Sequence, residues 1–245
     1  MSKGVLDKRY AIERLQKPEL IFRYKTRARF VSNTIKEYLN RTSGLAVLDF
    51  GAAEGLTLAE LDNLIPKSEF TGIEYSSELI DTAPELPKNV ALVQGDVMNL
   101  SADIKEKKYD AVCALALLEH LPDPLKSIQQ AADVLKPGGL YIATSPNPFW
   151  DDISTRLGLL REDQHETDMD KKLMKKIVEE AGLEILRFQR FMWTPVSFLP
   201  YMHIKVNAGF SLSVDRLVEK VVIFNWMFVN QAIIARKPLD KIGKK

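Results

Sequence analysis

A short apolar run, residues 47–50, contains an aspartate and gives way at once to small residues and a helical pattern. Residues 47–55 read Val-Leu-Asp-Phe-Gly-Ala-Ala-Glu-Gly, which predicts a buried strand, a tight turn and a helix N-terminus. An α/β protein uses this arrangement to bring its backbone close to a nucleotide-like ligand. Because the carboxylate of Asp49 precedes the first glycine, the turn would repel a phosphate and favour a cationic group.

The composition limits the classes of protein that fit this chain. With 245 residues, 46% of them hydrophobic, we expect one α/β domain spanning residues 1–245. The 34 Lys and Arg residues balance 33 Asp and Glu residues, which disfavours nucleic acid as a partner. A single cysteine, Cys113, excludes an intramolecular disulfide, and the N-terminal residues show no apolar signal region. We therefore expect a cytoplasmic protein.

Strand-like and helix-like patterns alternate along the chain, which predicts crossover units and a mostly parallel sheet. Apolar residues at helical spacing predict an N-terminal helical cover within residues 1–45, and the basic segment 23–29 is interpreted as a solvated face. Ser76 and Asp123 are predicted helix N-caps. The predicted strands cover residues 46–50, 70–74, 90–94, 109–114, 140–144, 183–193 and 228–236.

Acidic residues stand at the carboxyl ends of the first three predicted strands. They are Asp49, Glu74 and Asp96. In an open parallel sheet these ends border one crevice, so we expect the three side chains to face the same cleft. A carboxylate at Glu74 suits the two hydroxyls of a ribose, and Asp96 suits an exocyclic amine of adenine. Taken singly, each acid fits a helix cap or a turn residue equally well. Together, they favour a ligand.

The chain resembles the class I S-adenosylmethionine-dependent methyltransferases in five motifs, within the branch that includes ubiquinone-biosynthesis methyltransferases. The motifs are VLDFGAAEG (47–55), TGIEYS (71–76), VQGDV (93–97), YDAVCALALLEHLPDP (109–124) and LKPGGLYIATSPNP (135–148). The resemblance implies a Rossmann-like, doubly wound, seven-stranded and mostly parallel sheet with an antiparallel last strand. It also implies a cofactor-binding core over residues 46–148 and an acceptor-side region over 149–245, with a lid-like insertion.

The same resemblance implies which residues bind S-adenosylmethionine and its product S-adenosylhomocysteine (SAH). The methionine end would lie against the first turn and the backbone after the fourth strand, the ribose against the second strand, and the adenine against the second and third strand ends. The residues at the methionine end would be Asp49, Gly51, Ala53, Gly55, Ala114 and Leu115. Glu74 would bind the ribose, and Tyr75, Asp96 and Val97 would contact the adenine.

Two positions depart from the family pattern. Ala53 stands where a glycine is usual, and its methyl group is tolerable if φ stays negative and costly otherwise. Some ubiquinone-pathway relatives have a magnesium site, E-x-x-E-H, after the fourth strand. Here Ala116 replaces its first acid, so Glu119 and His120 alone are too few ligands and we predict no metal site.

Two histidines are candidate general bases for an acceptor that must lose a proton. His120 follows the fourth strand near the expected methyl group, and His165 lies before the next predicted helix. Both also fit a plainer reading, in which His120 packs in its turn and His165 is exposed.

Aromatic residues concentrate in the regions that would bind the acceptor. We expect a small, apolar or aromatic acceptor, and peripheral contact with a membrane through Phe198, Leu199, Tyr201 and Met202 is an alternative use of this surface. The uncharged stretch 221–235 is too short to span a membrane and is interpreted as core. Two other functions stay open: a catalytically idle interaction protein with this fold, and a methyltransferase acting on a protein.

Overall fold

The computed structural model describes residues 8–156 and 167–239, which contain a seven-stranded sheet in the order β3-β2-β1-β4-β5-β7-β6. Strands β1 to β5 pair in parallel, while β7 is antiparallel to both β5 and β6. The predicted Rossmann-like sheet with an antiparallel last strand is therefore confirmed. Its strands are β1 Ala46–Phe50, β2 Glu69–Glu74, β3 Val90–Gln94, β4 Tyr109–Leu115, β5 Leu135–Pro146, β6 Glu184–Trp193 and β7 Phe228–Arg236.

Helices cover both faces of the sheet, and each face has its own hydrophobic core. The predicted caps are confirmed, because Ser76 Oγ accepts from Leu79 N and Asp123 Oδ1 accepts from Lys126 N. The helices are α1 Lys8–Gln16, α2 Pro18–Leu39, α3 Leu56–Leu64, α4 Ser77–Asp81, α5 Ala102–Glu106, α6 Pro124–Val134, α7 Pro148–Arg156, α8 Lys171–Glu180, α9 Thr194–Ser197 and α10 Ala208–Val218.

The fifth strand begins earlier than the pattern indicates. The pattern predicts a strand from residue 140, but β5 starts at Leu135. The reason is backbone pairing: Gly138 N donates to Lys237 O, and Lys237 N donates to Gly139 O. These bonds extend the sheet through residues whose proline and glycines suggested a loop.

The insertion between β6 and β7, residues 194–227, leaves and rejoins the sheet at one edge. Trp193 pairs with Phe228, and Asn230 pairs with Pro146 at the end of β5. The insertion therefore starts and ends on the side of the sheet where the carboxyl ends of strands β1 to β5 lie. This side is called the sheet edge. Besides α9 and α10 it contains short 3₁₀ helices at Leu199–Met202 and Val222–Met227.

The uncharged stretch 221–235 divides into two parts. Residues 228–235 form most of β7, and most of their side chains are buried, as predicted. The interpretation as core is wrong for residues 221–224 and for Trp226, because the backbone joins the sheet only at Phe228 and these side chains are exposed. Within the described residues, no helix is long and apolar enough to cross a membrane.

Candidate active site

The turn after β1 places three alternate residues in the left-handed region. The φ angles are +70° at Gly51, +50° at Ala53 and +81° at Gly55. A Cβ atom on Gly51 would lie 2.7 Å from Leu117 Cδ1, so only glycine fits there without a shift of that side chain. Ala53 adopts the positive φ that is costly for a residue with a Cβ atom.

The methyl group of Ala53 packs against the N-terminal cover. Ala53, Ala11 of α1 and Leu79 of α4 form a small buried cluster in which each is at most 3% exposed. Burying a methyl group stabilises the fold by about 0.8 kcal/mol, which offsets much of the cost of the positive φ. The departure from glycine at this position therefore coincides with a contact to α1.

The carboxylate of Glu74 connects the first two strand ends. Its Oε2 atom accepts a hydrogen bond from Ala53 N and its Oε1 atom accepts one from Ser76 N, each at 2.9 Å. The side chain is buried, and its position is fixed by backbone groups from both turns. Each carboxylate oxygen has a second lone pair, so the group retains acceptor capacity for a diol.

Asp49 is the most isolated acid of the site. It is 2% exposed, and its Oδ1 atom has no hydrogen-bond partner among the described residues. Burial, reinforced by the charge of Glu74, raises the pKa of Asp49 to about 7, although Arg14 and Arg27 oppose this shift. A buried carboxylate oxygen without a partner fits a site for a cationic ligand, because such a ligand would restore the charged form.

Two arginines of the N-terminal cover approach the site. Arg14 of α1 forms an ion pair with the fully buried Glu54, with Nε and Oε1 3.2 Å apart. Arg27 of α2 lies 3.5 Å from Asn230 Oδ1 in β7, and burial lowers the pKa of its guanidinium. The interpretation of segment 23–29 as a solvated face is therefore wrong for Arg27. An amphipathic helix pattern gives no signal for either contact, because the partners are distant in sequence.

The third strand end is organised as a turn. Asp96 Oδ1 accepts from Met98 N at 2.8 Å, so this acid has the turn role that its residue type also allowed. Val97 is buried in the hydrophobic core, whereas Tyr75 is 64% exposed beside the turn after β2. Asp96, Val97 and Tyr75 stand at the same sheet edge, and their predicted contacts with adenine stay predictions.

The end of β4 contributes backbone and one candidate base. Ala114 is fully buried in the sheet, Leu115 is half-buried, and Ala116 follows with φ +54° and donates its N–H to Thr144. His120 is half-buried in the 3₁₀ helix Leu118–His120, while His165 lies outside the described residues. Among the residues described, no three His, Cys, Asp or Glu side chains are grouped to hold a metal ion.

An aromatic cluster marks the same sheet edge beyond β5. Trp150 of α7 stacks on Trp226 with ring centroids 6.2 Å apart, and its Nε1 atom donates to Trp226 O. Phe149 meets both rings edge-on at 5.6 Å, and Phe198 extends the cluster to Tyr201. Part of the predicted acceptor region, residues 157–166, lies outside the described chain.

Comparison with known proteins assigns the family. A profile described as a methyltransferase domain matches residues 22–187, so the chain belongs to the methyltransferase domain family, and the predicted class I S-adenosylmethionine-dependent family is confirmed. The ubiquinone biosynthesis O-methyltransferase of Alkalilimnicola ehrlichii is 33% identical over 117 residues, which is 46% of each chain. The matched part thus spans less than half of that relative's own length.

Solved structures share the fold at low sequence identity. The plantazolicin methyltransferase BpumL in complex with SAH has a TM-score of 0.63 at 16% identity, over 94% of this chain and 88% of its own. The [4+2]-cyclase SpnF has a TM-score of 0.59 at 18% identity, over 85% and 80%. Because one neighbour is named for methyl transfer and the other for a cyclisation, the fold alone does not determine the reaction.

Proposed function

We propose that this protein transfers the methyl group of S-adenosylmethionine to a small, apolar or aromatic acceptor. The buried Asp49 carboxylate carries the proposal, because its Oδ1 atom has no hydrogen-bond partner among the described residues and a cationic ligand would supply one. The family assignment and the SAH named for one structural neighbour support the same cofactor. We also propose a cytoplasmic location, since the single cysteine, Cys113, is buried and suits a reducing compartment.

Each part of the cofactor has proposed partners. Asp49 attracts the positive end of the methionine moiety, and Glu74, whose oxygens are aligned by Ala53 N and Ser76 N, binds the ribose diol. The remaining contacts come from the turn after β1, from the backbone after β4, and from side chains at the ends of β2 and β3. These residues are Gly51, Ala53, Gly55, Ala114, Leu115, Tyr75, Asp96 and Val97.

The protein accelerates the reaction by alignment. Bound S-adenosylmethionine would supply an electrophilic methyl group to a lone pair of the acceptor, with S-adenosylhomocysteine as the leaving group. Holding the two reactants in line contributes on the order of 7 to 11 kcal/mol in favourable cases. For an acceptor that must lose a proton, we propose His120 or His165 as the group that takes it.

The aromatic cluster supports the proposed acceptor class. Phe149, Trp150 and Trp226 pack together at the sheet edge that holds Asp49, and Phe198 continues this surface. Flat apolar groups with few charges suit an apolar or aromatic molecule. The N-terminal cover adds Arg27, a cation that suits an acceptor with a polar or anionic end.

The test is transfer of a labelled methyl group. Purified protein is incubated with methyl-labelled S-adenosylmethionine and cell extract, and mass spectrometry identifies the labelled compound. We expect a labelled small molecule with the wild type and with Glu106→Gln, an exposed acid in α5, and strong loss with Glu74→Gln. Label in the protein fraction would favour a protein acceptor. Equal labelling by Glu74→Gln and the wild type would contradict the proposed site.

A second candidate is a catalytically idle protein that keeps this fold for an interaction. The observation that favours it is Ala53, whose φ of +50° is costly for alanine and whose methyl group joins α1 to the turn. Binding of S-adenosylmethionine in a titration, with no methyl group transferred to any compound of a cell extract, would support this candidate. Transfer of label to any compound would overturn it.

A further inference from the structure

We infer that the insertion, residues 194–227, docks on the surface of an anionic lipid bilayer. Docking would place the candidate active site where an apolar acceptor can enter from lipid. Only this last step rests on the proposed function. The docking itself requires no cofactor and no methyl transfer. It follows from the exposed apolar side chains, the aromatic cluster and the distribution of charge.

Exposed aliphatic side chains occur in succession at the end of the insertion. Val222 is 75% exposed and Ile223 is 72% exposed, and Val221 and Phe224 on either side are exposed as well. Leu217 at the end of α10 is 67% exposed. Single exposed apolar residues are ordinary, but a contiguous apolar surface of this kind marks an interaction site.

Aromatic residues with a polar end accompany these aliphatic side chains. Trp226, in the same 3₁₀ helix as Val222 and Ile223, is 52% exposed and stacks on Trp150. Tyr201 is 45% exposed, and its hydroxyl accepts a hydrogen bond from Arg23. Trp and Tyr are the residues that concentrate at the boundary between lipid headgroups and acyl chains.

The charges of the insertion are separated by sign. Both of its acids are turned toward the backbone of β6: Asp215 accepts from Met192 N and Trp193 N, and Glu219 accepts from Arg190 N. The exposed charged side chains of the insertion are all basic, namely Lys205, Arg216 and Lys220. A bilayer with anionic headgroups presents one uniform negative surface, which complements this arrangement.

A cavity beside the insertion extends the basic surface. It has a volume of about 690 Å³ between α2, β6 and α10, and Arg216 and Lys220 line it together with Lys36. Its acid Glu37 forms an ion pair with Arg187, while its other two acids are those bound to the β6 backbone. The cavity therefore suits an anionic headgroup next to the exposed aliphatic residues.

The position of the insertion connects docking to the proposed reaction. It leaves the sheet at Trp193 and rejoins it at Phe228, at the edge where Asp49 and Ala114 also stand. A bilayer bound here would face the same edge as the candidate active site. An apolar acceptor could then reach the site directly from lipid, which avoids the unfavourable exposure of its apolar surface to water.

The experiment is sedimentation of the full chain with vesicles. We expect the wild type to bind vesicles of phosphatidylcholine with phosphatidylglycerol and to bind pure phosphatidylcholine weakly. The double variant Val222→Ser/Ile223→Ser should lose about tenfold or more in vesicle affinity, because it removes exposed apolar groups that the bilayer would bury. Leu239→Ser, at an equally exposed leucine beside Gly138 on the opposite edge, should bind like the wild type.

A second pair of variants tests the charges. Arg216→Gln/Lys220→Gln should lose about fivefold per charge on anionic vesicles, whereas Lys105→Gln/Lys107→Gln, at the opposite edge, should lose little. Thermal unfolding of every variant confirms that it is folded. Three results would overturn the inference: no binding by the wild type, equal binding by Val222→Ser/Ile223→Ser, or a dimer in light scattering that this variant dissociates.

Calorimetry on the same preparations separates the two proposals. Binding of S-adenosylmethionine without vesicle binding overturns the docking surface and leaves the proposed function intact. Vesicle binding without binding of S-adenosylmethionine overturns the proposed function and leaves the docking surface intact.

Discussion

The turn after β1 and the insertion 194–227 stand at one edge of the sheet but use their polar groups in opposite ways. Around the turn, buried charges face each other: Asp49 and Glu74 lie close enough to influence each other, and Glu54 is paired with Arg14. In the insertion, the acids Asp215 and Glu219 are turned toward backbone, and apolar and basic side chains are exposed. This contrast underlies the two proposals, a charged ligand at the turn and a bilayer surface at the insertion.

This difference bears on function. The turn lies within the part of the chain that the methyltransferase profile matches, residues 22–187, whereas the insertion lies wholly beyond it. We propose that the part matched by the profile supplies the cofactor site and that the insertion contributes to the acceptor side.

The largest effect is expected from Arg14→Met. This change leaves the fully buried Glu54 without its ion-pair partner, which should cost about 3 to 5 kcal/mol in the free energy of unfolding. The exposed pair of Arg9 and Glu13 provides the control, and Arg9→Met should change the stability little because solvent screens this pair. Urea unfolding measures both. Equal stability of the two variants would contradict a special role for the buried pair. Recovery of the unfolding free energy in Arg14→Met/Glu54→Gln would support that role.

Asp49→Asn should stabilise the protein without cofactor. The pKa of Asp49 is raised to about 7, so its contribution favours folding below about pH 4 and is lost as the pH rises through 7. At pH 8 the variant should exceed the wild type by on the order of 3 kcal/mol in unfolding free energy, and the two should converge at pH 4. Unfolding at both pH values checks this. A variant less stable than the wild type at pH 8 would contradict the raised pKa.

Asp215→Ala should loosen the insertion and leave the cofactor turn unchanged. The buried carboxylate accepts from Met192 N and Trp193 N, so its loss leaves two N–H groups unpaired and costs about 2 kcal/mol. Hydrogen exchange should rise at the end of β6 and in α10. The control is Asp103→Ala, at an exposed acid of α5. Equal loss of exchange protection around Glu74 would show that the two regions are not independent.

The smallest effect is expected from Ala53→Gly. Glycine relieves the strain of a positive φ, but it removes a methyl group packed on Ala11 and Leu79, so the terms oppose each other. The unfolding free energy should change by less than about 1 kcal/mol, and cofactor affinity should stay within a few-fold of the wild type. Thermal unfolding and calorimetry measure these quantities. A gain of tenfold in affinity would show that the methyl group obstructs the ligand.

Local sequence patterns explain how far the sequence predicts this structure. The apolar strands and their acidic ends could be predicted, because buried strands and small-residue turns leave a signal within a few residues, as at Asp49 and Glu74. The pairing of Arg14 with Glu54 joins residues 40 positions apart, and no local pattern encodes it. The sequence interpretation of 221–235 as core did not anticipate the exposure of Val222 and Ile223, because an uncharged run looks the same in a core and on an exposed surface.

Isothermal titration of the full chain with S-adenosylmethionine tests the central claim most directly. At pH 8 we predict binding of one molecule per chain, with affinity reduced at least about tenfold in Asp49→Asn, because the variant loses the charge that faces the cationic end of the ligand. Wild-type affinity should also fall as the pH drops through 7, while the variant should show a flatter profile. Absence of binding by the wild type would contradict the account, and so would equal affinity in the two proteins.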